Sequence, residues 1–179
     1  MKKIVLGILG LLVLAVLVVC GLALTQPDSF QVERSIAIAA PPEKVFPLVD
    51  DFHSWNAWSP WDKLDPNMQR THSGAPRGKG AVYEWKGNDD VGQGRMEVTE
   101  STAPSEVVVD LQFISPFEAR NLTRFAFAPE GAGTKVRWTM SGENSFMGKV
   151  MCVFMDMDKM IGKDFEQGLA NMKAAAEKP

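Results

Sequence analysis

Apolar and polar residues alternate in six separate stretches of the chain. In FQVERSIAIAA, from Phe30, the residues Phe30, Val32, Ile36 and Ile38 fall on one side with Arg34 among them, and Gln31, Glu33 and Ser35 on the other. AVYEWKGN sets Ala81, Tyr83 and Trp85 against Val82, Glu84 and Lys86, and GRMEVTES sets Met96 and Val98 against Arg95, Glu97 and Thr99. VVVDLQFIS places Val107, Val109, Leu111 and Phe113 together, NLTRFAFAP offers Thr123, Phe125 and Phe127, and TKVRWTM alternates Val136, Trp138 and Met140 with Lys135, Arg137 and Thr139. A period of two predicts strands. One apolar and one wet face per strand, with Gly, Pro, Asn or Asp between runs, predicts an antiparallel sheet.

The period changes at three places. Pro41-Pro42-Glu43 starts a helix, since proline suits a first turn and acid suits its positive end, and Val45, Phe46, Leu48 and Val49 give it an apolar face ending near Asp51. From Asn144 to about Ala176 there is no proline, and Phe146, Val150, Phe154, Met157, Ile161, Phe165, Leu169 and Met172 recur at steps of three and four, which predicts one amphipathic helix about 45 Å long. Met147, Met151 and Met155 form a second stripe beside the first, and methionine is a flexible filler of adaptable surfaces. The apolar stripe must lie on the apolar face of the sheet, which makes the fold class α+β. A strongly curved sheet around a long helix is expected to leave a hollow, the natural place for an apolar ligand.

The third change is at the start. Ile4 to Leu24 is an uncharged run of 21 residues, enough to cross a hydrocarbon core of roughly 30 Å. A cleaved signal would have a shorter apolar region and a small-x-small exit, for which only Gly21-Leu22-Ala23 qualifies. Cys20 as a lipoprotein cysteine would follow Val19, where that processing wants a small residue. Residues 1–25 are therefore expected to be a membrane anchor, with a cleaved signal as the alternative, 26–29 a linker and 30–179 one domain. Lys2 and Lys3 place the N-terminus in the cytoplasm and the domain on the outer side, periplasmic or extracellular, by the positive-inside tendency; a bacterial inner membrane is the expected setting.

Composition then narrows the chemistry. A net charge of −3 with both signs scattered offers no basic track for nucleic acid. Two cysteines, one in the leader, cannot staple the domain, and two histidines without a cysteine pair give no zinc spacing. No cofactor is expected. His53 and His72 have no Cys, Ser and Asp arrangement around them and are expected at the surface or in structural roles. Arg34 lies on an apolar strand face, so it either snorkels to the sheet edge or faces the hollow and favours a ligand with an acidic head. In FHSWNAWSPWDKLDP, Trp55, Trp58 and Trp61 recur every three residues. They either plug one end of the sheet or line the mouth of the hollow with an indole N–H to offer.

The motifs Trp55-x-x-Trp58-Ser59-Pro60, Gly80-Ala81-x-Tyr83-x-Trp85-x-Gly87, Gly92-x-Gly94-x-Met96, Gly133-Thr134-x-Val136-x-Trp138 and Gly168-Leu169-x-Asn171-Met172-Lys173 stand in this order. The chain thereby resembles the START-like helix-grip superfamily, SRPBCC, and within it the polyketide cyclase/dehydrase and lipid-transport branch, over about residues 30 to 176. The resemblance implies a cavity for hydrophobic molecules, catalysis in only some members, and no universal catalytic motif. The expected lining is Arg34, Trp55, Trp58, Tyr83, Trp85, Phe113, Phe125, Trp138, Met151 and Phe154, holding a hydrophobic small molecule or lipid without chemistry. An enzyme of cyclase or dehydratase type would use Tyr83, Arg34 or Glu84 to polarise a carbonyl. An interaction module of the Hsp90-activator kind is the third reading, and an apolar anchor fits it poorly.

Overall fold

The computed structural model describes residues 2–178; Met1 and Pro179, the outer bounds of the two expected segments, lie outside them. The order is α1 (Lys2–Leu24), β1 (Ser29–Ile38), α2 (Pro42–Val45), α3 (Pro47–Asp50), two 3₁₀ turns (Phe52–Ala57 and Trp61–Lys63), then β2 (Gln69–Gly74), β3 (Ala81–Lys86), β4 (Gln93–Thr102), β5 (Glu106–Ser115), β6 (Ala119–Glu130), β7 (Gly133–Glu143), α4 (Phe146–Phe154) and α5 (Met157–Ala176). All seven strands form one antiparallel sheet in the order β1-β7-β6-β5-β4-β3-β2. The chain thus meanders from β2 to β7, and β1 closes the far edge in full register, from Ser29 opposite Glu143 to Ile38 opposite Thr134. The β4–β5 register shifts twice, with Ile114 of β5 unpaired between Gln93 and Gly94 and Thr99 of β4 unpaired between Val98 and Glu100, and an extra residue of this kind bends a strand. The α+β helix-grip arrangement is as expected.

Two elements differ from the sequence reading. β2 was not anticipated, because QRTHSG is exposed along its whole length; an edge strand with no buried face leaves no alternation to detect, and its order comes from pairing with β3. The single helix expected over 144–176 is two. Met155 and Asp156 are extended (φ −132°, ψ 139° and φ −85°, ψ 100°). The Asp156 side chain accepts from the Lys159 backbone N–H and starts α5 afresh, a capping role that favours aspartate there. Ser145 does the same for α4 through the Gly148 N–H.

The core lies between the inner face of the sheet and α5. Trp138 of β7 stacks flat on Phe165 of α5 (centroids 3.9 Å apart, 8° between planes) and on Phe125 of β6 (4.8 Å, 30°). Trp58 meets Trp138 edge-on at 5.5 Å and 83°, and Trp61 does so at 5.9 Å and 87°. The helix comes this close because Gly168 faces the indole: a Cβ there would stand 2.9 Å from Trp138 Cζ3 and 3.2 Å from the Pro60 ring.

A second tie fixes the start of α5. Arg34 reaches from β1 across Gly162, with Nε donating to Glu166 Oε1 at 2.8 Å and Nη1 to Asp158 Oδ1 at 3.0 Å and the Glu33 carbonyl at 2.8 Å. Nη2 donates to Asp158 Oδ2 at 3.0 Å and the Asp158 carbonyl at 3.1 Å. These bonds hold the guanidinium pKa above its ordinary value, chiefly through Asp158 and then Glu166, and hold the Asp158 carboxyl below its own, chiefly through Arg34. Only glycine leaves room, since a Cβ on residue 162 would lie 1.9 Å from Nη2.

Alanine is favoured over glycine inside a helix by about 1 kcal/mol. Even so, Gly162→Ala is expected to lower Tm, because the guanidinium must leave its acceptors. In an Arg34→Ala background the same substitution raises Tm, and thermal unfolding of the four proteins reads this sign reversal. Trp58, fully buried, is expected to cost about 3–5 kcal/mol on replacement by alanine, measured by denaturant unfolding of the full chain.

Candidate ligand-binding region

The ten residues expected to line one hollow fall into four places. Trp55, Trp58, Phe125 and Trp138 fill the space under α5, and all are at most 7% exposed. Trp55 donates its indole N–H to the Val49 carbonyl at 2.9 Å and Trp58 to the Leu48 carbonyl at 2.7 Å. Both donors are spent on the backbone around α3. The rings of Trp55 and Trp58 are thus packed into the core with their indole N–H groups occupied, while Trp61 is half-buried. Around Trp55, Trp58, Phe125 and Trp138 the space beneath α5 is packed with aromatic rings.

Tyr83, Trp85 and Phe113 sit further along the inner face, on β3 and β5. Tyr83 is buried, which pushes its hydroxyl pKa up. Its ring lies over Trp85 at 6.1 Å and 20°, and Trp85 meets Phe113 edge-on at 5.9 Å and 85°. Trp85 is pinned by an N–H donated to the Val91 carbonyl at 3.0 Å; it and Phe113 remain half-buried. Arg34 stands apart at the α5 clamp, where all five of its N–H groups are taken by the protein's own acceptors. It has no donor left for an acidic head group. Met151 and Phe154 belong to α4, outside the grip: Met151 is half-buried and Phe154 is 70% exposed.

Open space lies instead at the foot of β1. A groove of about 550 Å³ runs between Phe30 and Val32 on β1 and Val153, Met155 and Met157 at the α4–α5 break, with Asn144 at one end. Gln26 and Pro27, the residues just after α1, form part of its wall. Asn144 ties that wall down, donating Nδ2 to the Pro27 carbonyl at 3.1 Å and its backbone N–H to the Asp28 carbonyl at 2.8 Å. The charges at the rim are Asp156, spent on capping and on Lys159 (3.0 Å), and Asp158, spent on Arg34. Met155 belongs to the methionine stripe already expected to line ligand space, whereas Phe30 and Asn144 are not among the expected site residues. The signal that points to them is the aspartate at 156, read as a helix start rather than as a helix interior.

Polar groups do stand near Tyr83: Arg70 Nε donates to Asp62 Oδ1 at 2.9 Å beside it, and the His72 ring lies 5.0 Å from the Tyr83 ring. His53 and His72 stack on each other at 4.1 Å and 16°, and His53 Nδ1 lies 2.8 Å from Asp51 Oδ1. Partial desolvation under the stacked ring and then the neighbouring His53 hold the His72 pKa below its ordinary value. Both rings are exposed, His72 on the edge strand. Among the described residues no three His, Cys, Asp or Glu side chains gather as a metal ion would require. Among the described residues two buried side-chain atoms lack a partner, Thr123 Oγ1 and Trp138 Nε1, and an unmade bond of this kind costs about 1–3 kcal/mol. Asp164, half-buried on α5, has its carboxyl pKa pushed up by burial.

Comparison with known proteins places this geometry. Residues 29–177 match the family model described as polyketide cyclase / dehydrase and lipid transport. A search of the curated proteins finds no match. Among solved structures, CV1439 from Chromobacterium violaceum is similar at TM-score 0.60 and 15% identity, over 86% of this chain and 100% of its own. The Aha1 dimer from Colwellia psychrerythraea is similar at 0.58 and 16%, over 83% of this chain and 96% of its own. The di-domain ARO/CYC BexL from the BE-7585A biosynthetic pathway is similar at 0.63 and 15%, over 89% of this chain, which spans 53% of BexL. Identities this low speak for the shared fold alone. The match over residues 29–177 carries the assignment: the chain belongs to the polyketide cyclase/dehydrase and lipid transport family of the SRPBCC superfamily.

Proposed function

We propose that the protein binds a hydrophobic small molecule or lipid at the surface of a membrane in which α1 is anchored, with the domain on the outer side. The observation that carries this reading is the position of the groove. Its volume, about 550 Å³, is within the ordinary range of small-molecule sites, and its wall includes the residues that follow α1 directly. A ligand leaving the bilayer beside α1 would meet Phe30, Met155 and Met157 first. Apolar contact there is worth about 25 cal/mol per Å² buried, before the costs of binding.

Support for the anchor is the length and character of α1: the helix runs over Lys3–Leu24, and its most apolar 18-residue window has a mean hydropathy of 3.1 with none of that window buried. Binding is favoured over chemistry because the groups a cyclase would use are dispersed. Arg34 is saturated, Tyr83 lies in the core, and Glu84 is exposed on the outer face of β3.

Native mass spectrometry of the full chain extracted from its own membrane is expected to show a co-purifying lipid or metabolite. Cys152→Trp, which places an indole at the wall of the groove, is expected to reduce that adduct. Trp138→Phe, which keeps the stack on Phe165 and deletes the unpartnered N–H, leaves it unchanged. A chain recovered repeatedly with no adduct contradicts the carrier reading.

A further inference from the structure

Apart from Gly148 and Lys149, every residue of α4 is apolar, and none of them is buried. Phe146, Met147, Phe154 and Met155 are all exposed, as is Met160 on the first turn of α5. α5 is the opposite case, with charged residues along its outer side and Gly162, Phe165, Gly168, Leu169, Met172 and Ala176 buried. A helix that is apolar without being buried has its solvent elsewhere than in water.

What α4 touches says where. It packs against α1, and among the described side chains of α1 exposure falls only at Val19, Cys20 and Ala23. These positions share one side at steps of three and four, and Ala23 is fully buried. The large residues from Ile4 to Val18 are each more than half exposed. The contact therefore involves the last two turns of the apolar run. If those turns stood in water, the run would shorten to Ile4–Val18, about 22 Å at 1.5 Å per residue, too short for a hydrocarbon core of about 30 Å. Keeping Val19–Leu24 in the hydrocarbon carries α4 to the same depth. The one charge on α4 does not oppose this, because Lys149 is bonded to the Asp28 carboxylate in the segment leading out of α1 and its stem can lie along the apolar surface.

We infer that α4 is a second membrane element: its Phe146, Met147, Phe154 and Met155 face enters the leaflet on the domain's side, beside α1. The partner is the lipid bilayer itself, through acyl chains and the adjoining head-group layer. The domain is then held by two contacts rather than swinging on the short linker. The groove behind the α4–α5 break, lined by Val153, Met155 and Met157, opens toward lipid. This inference rests on the reading of α1 as a spanning anchor.

The test uses the full chain with Cys20→Ser and Cys152→Ser, carrying one environment-sensitive nitrobenzoxadiazole label in turn at Phe154→Cys, Met147→Cys, Leu14→Cys or Ala128→Cys. Each is reconstituted into vesicles of phosphatidylcholine and phosphatidylglycerol with a shallow or a deep nitroxide on the acyl chains. At 154 and 147 the emission is expected to shift to the blue and to be quenched about twofold by the shallow nitroxide, as for an interfacial helix, while aqueous iodide has little effect. The label at 14 answers to the deep nitroxide, and the label at 128 to iodide alone. Iodide quenching at 154 and 147 with position 14 still deep overturns the inference and leaves the anchor standing. Iodide quenching at 14 as well overturns both.

Discussion

Trp138 is held flat between Phe125 of the sheet and Phe165 of α5, and most of the structure depends on that sandwich. A seven-stranded sheet with one apolar face needs a cover, and α5 is the cover. The stack sets how close the two layers come, and Gly168 allows that distance. Trp58 then wedges in edge-on and passes the contact to α3 through its bond to the Leu48 carbonyl. Aromatic pairs of this kind add about 0.5–1.5 kcal/mol each beyond the area they bury, so the plug is a strong structural device.

The Arg34 clamp governs the other end of the helix. By crossing Gly162 to Asp158 and Glu166, it pins the first turns of α5 to β1. Asp158 is also part of the groove wall, so the charge pair that docks the helix shapes one side of the open space. Upstream of the clamp, Met155 and Asp156 turn the chain, and α4 leaves the core for α1. The groove exists because the C-terminal segment is broken there.

The inner face of β1 and of β3 to β7 was legible from alternation, since Val32, Tyr83, Val107, Phe125 and Trp138 are all buried as their period requires. The family resemblance was legible from glycine and tryptophan spacing. β2 was not, having no buried side to leave a pattern. The division at Asp156 was hidden because apolar residues at 146, 150, 154, 157 and 161 keep a helical period across the break. Periodicity marks which residues avoid water without saying whether a core or a bilayer receives them. For that reason Met151 and Phe154 were grouped with Trp138, although Phe154 points away from the grip. The depth of the hollow was likewise out of reach, because Trp58 as plug and Trp58 as cavity lining have the same spacing.

The central claim is that ligand space lies at the foot of β1, beside α1, and not under α5. A photoactivatable fatty acid, bearing a diazirine on its chain and loaded into the full protein in lipid nanodiscs, tests it most directly by mapping the labelled peptides. The account predicts adducts on the α4–α5 break, around Val153 to Met157, and on Phe30 to Val32. Adducts confined to Tyr83, Trp85, Phe125 and Trp138, with the break unlabelled, would contradict it.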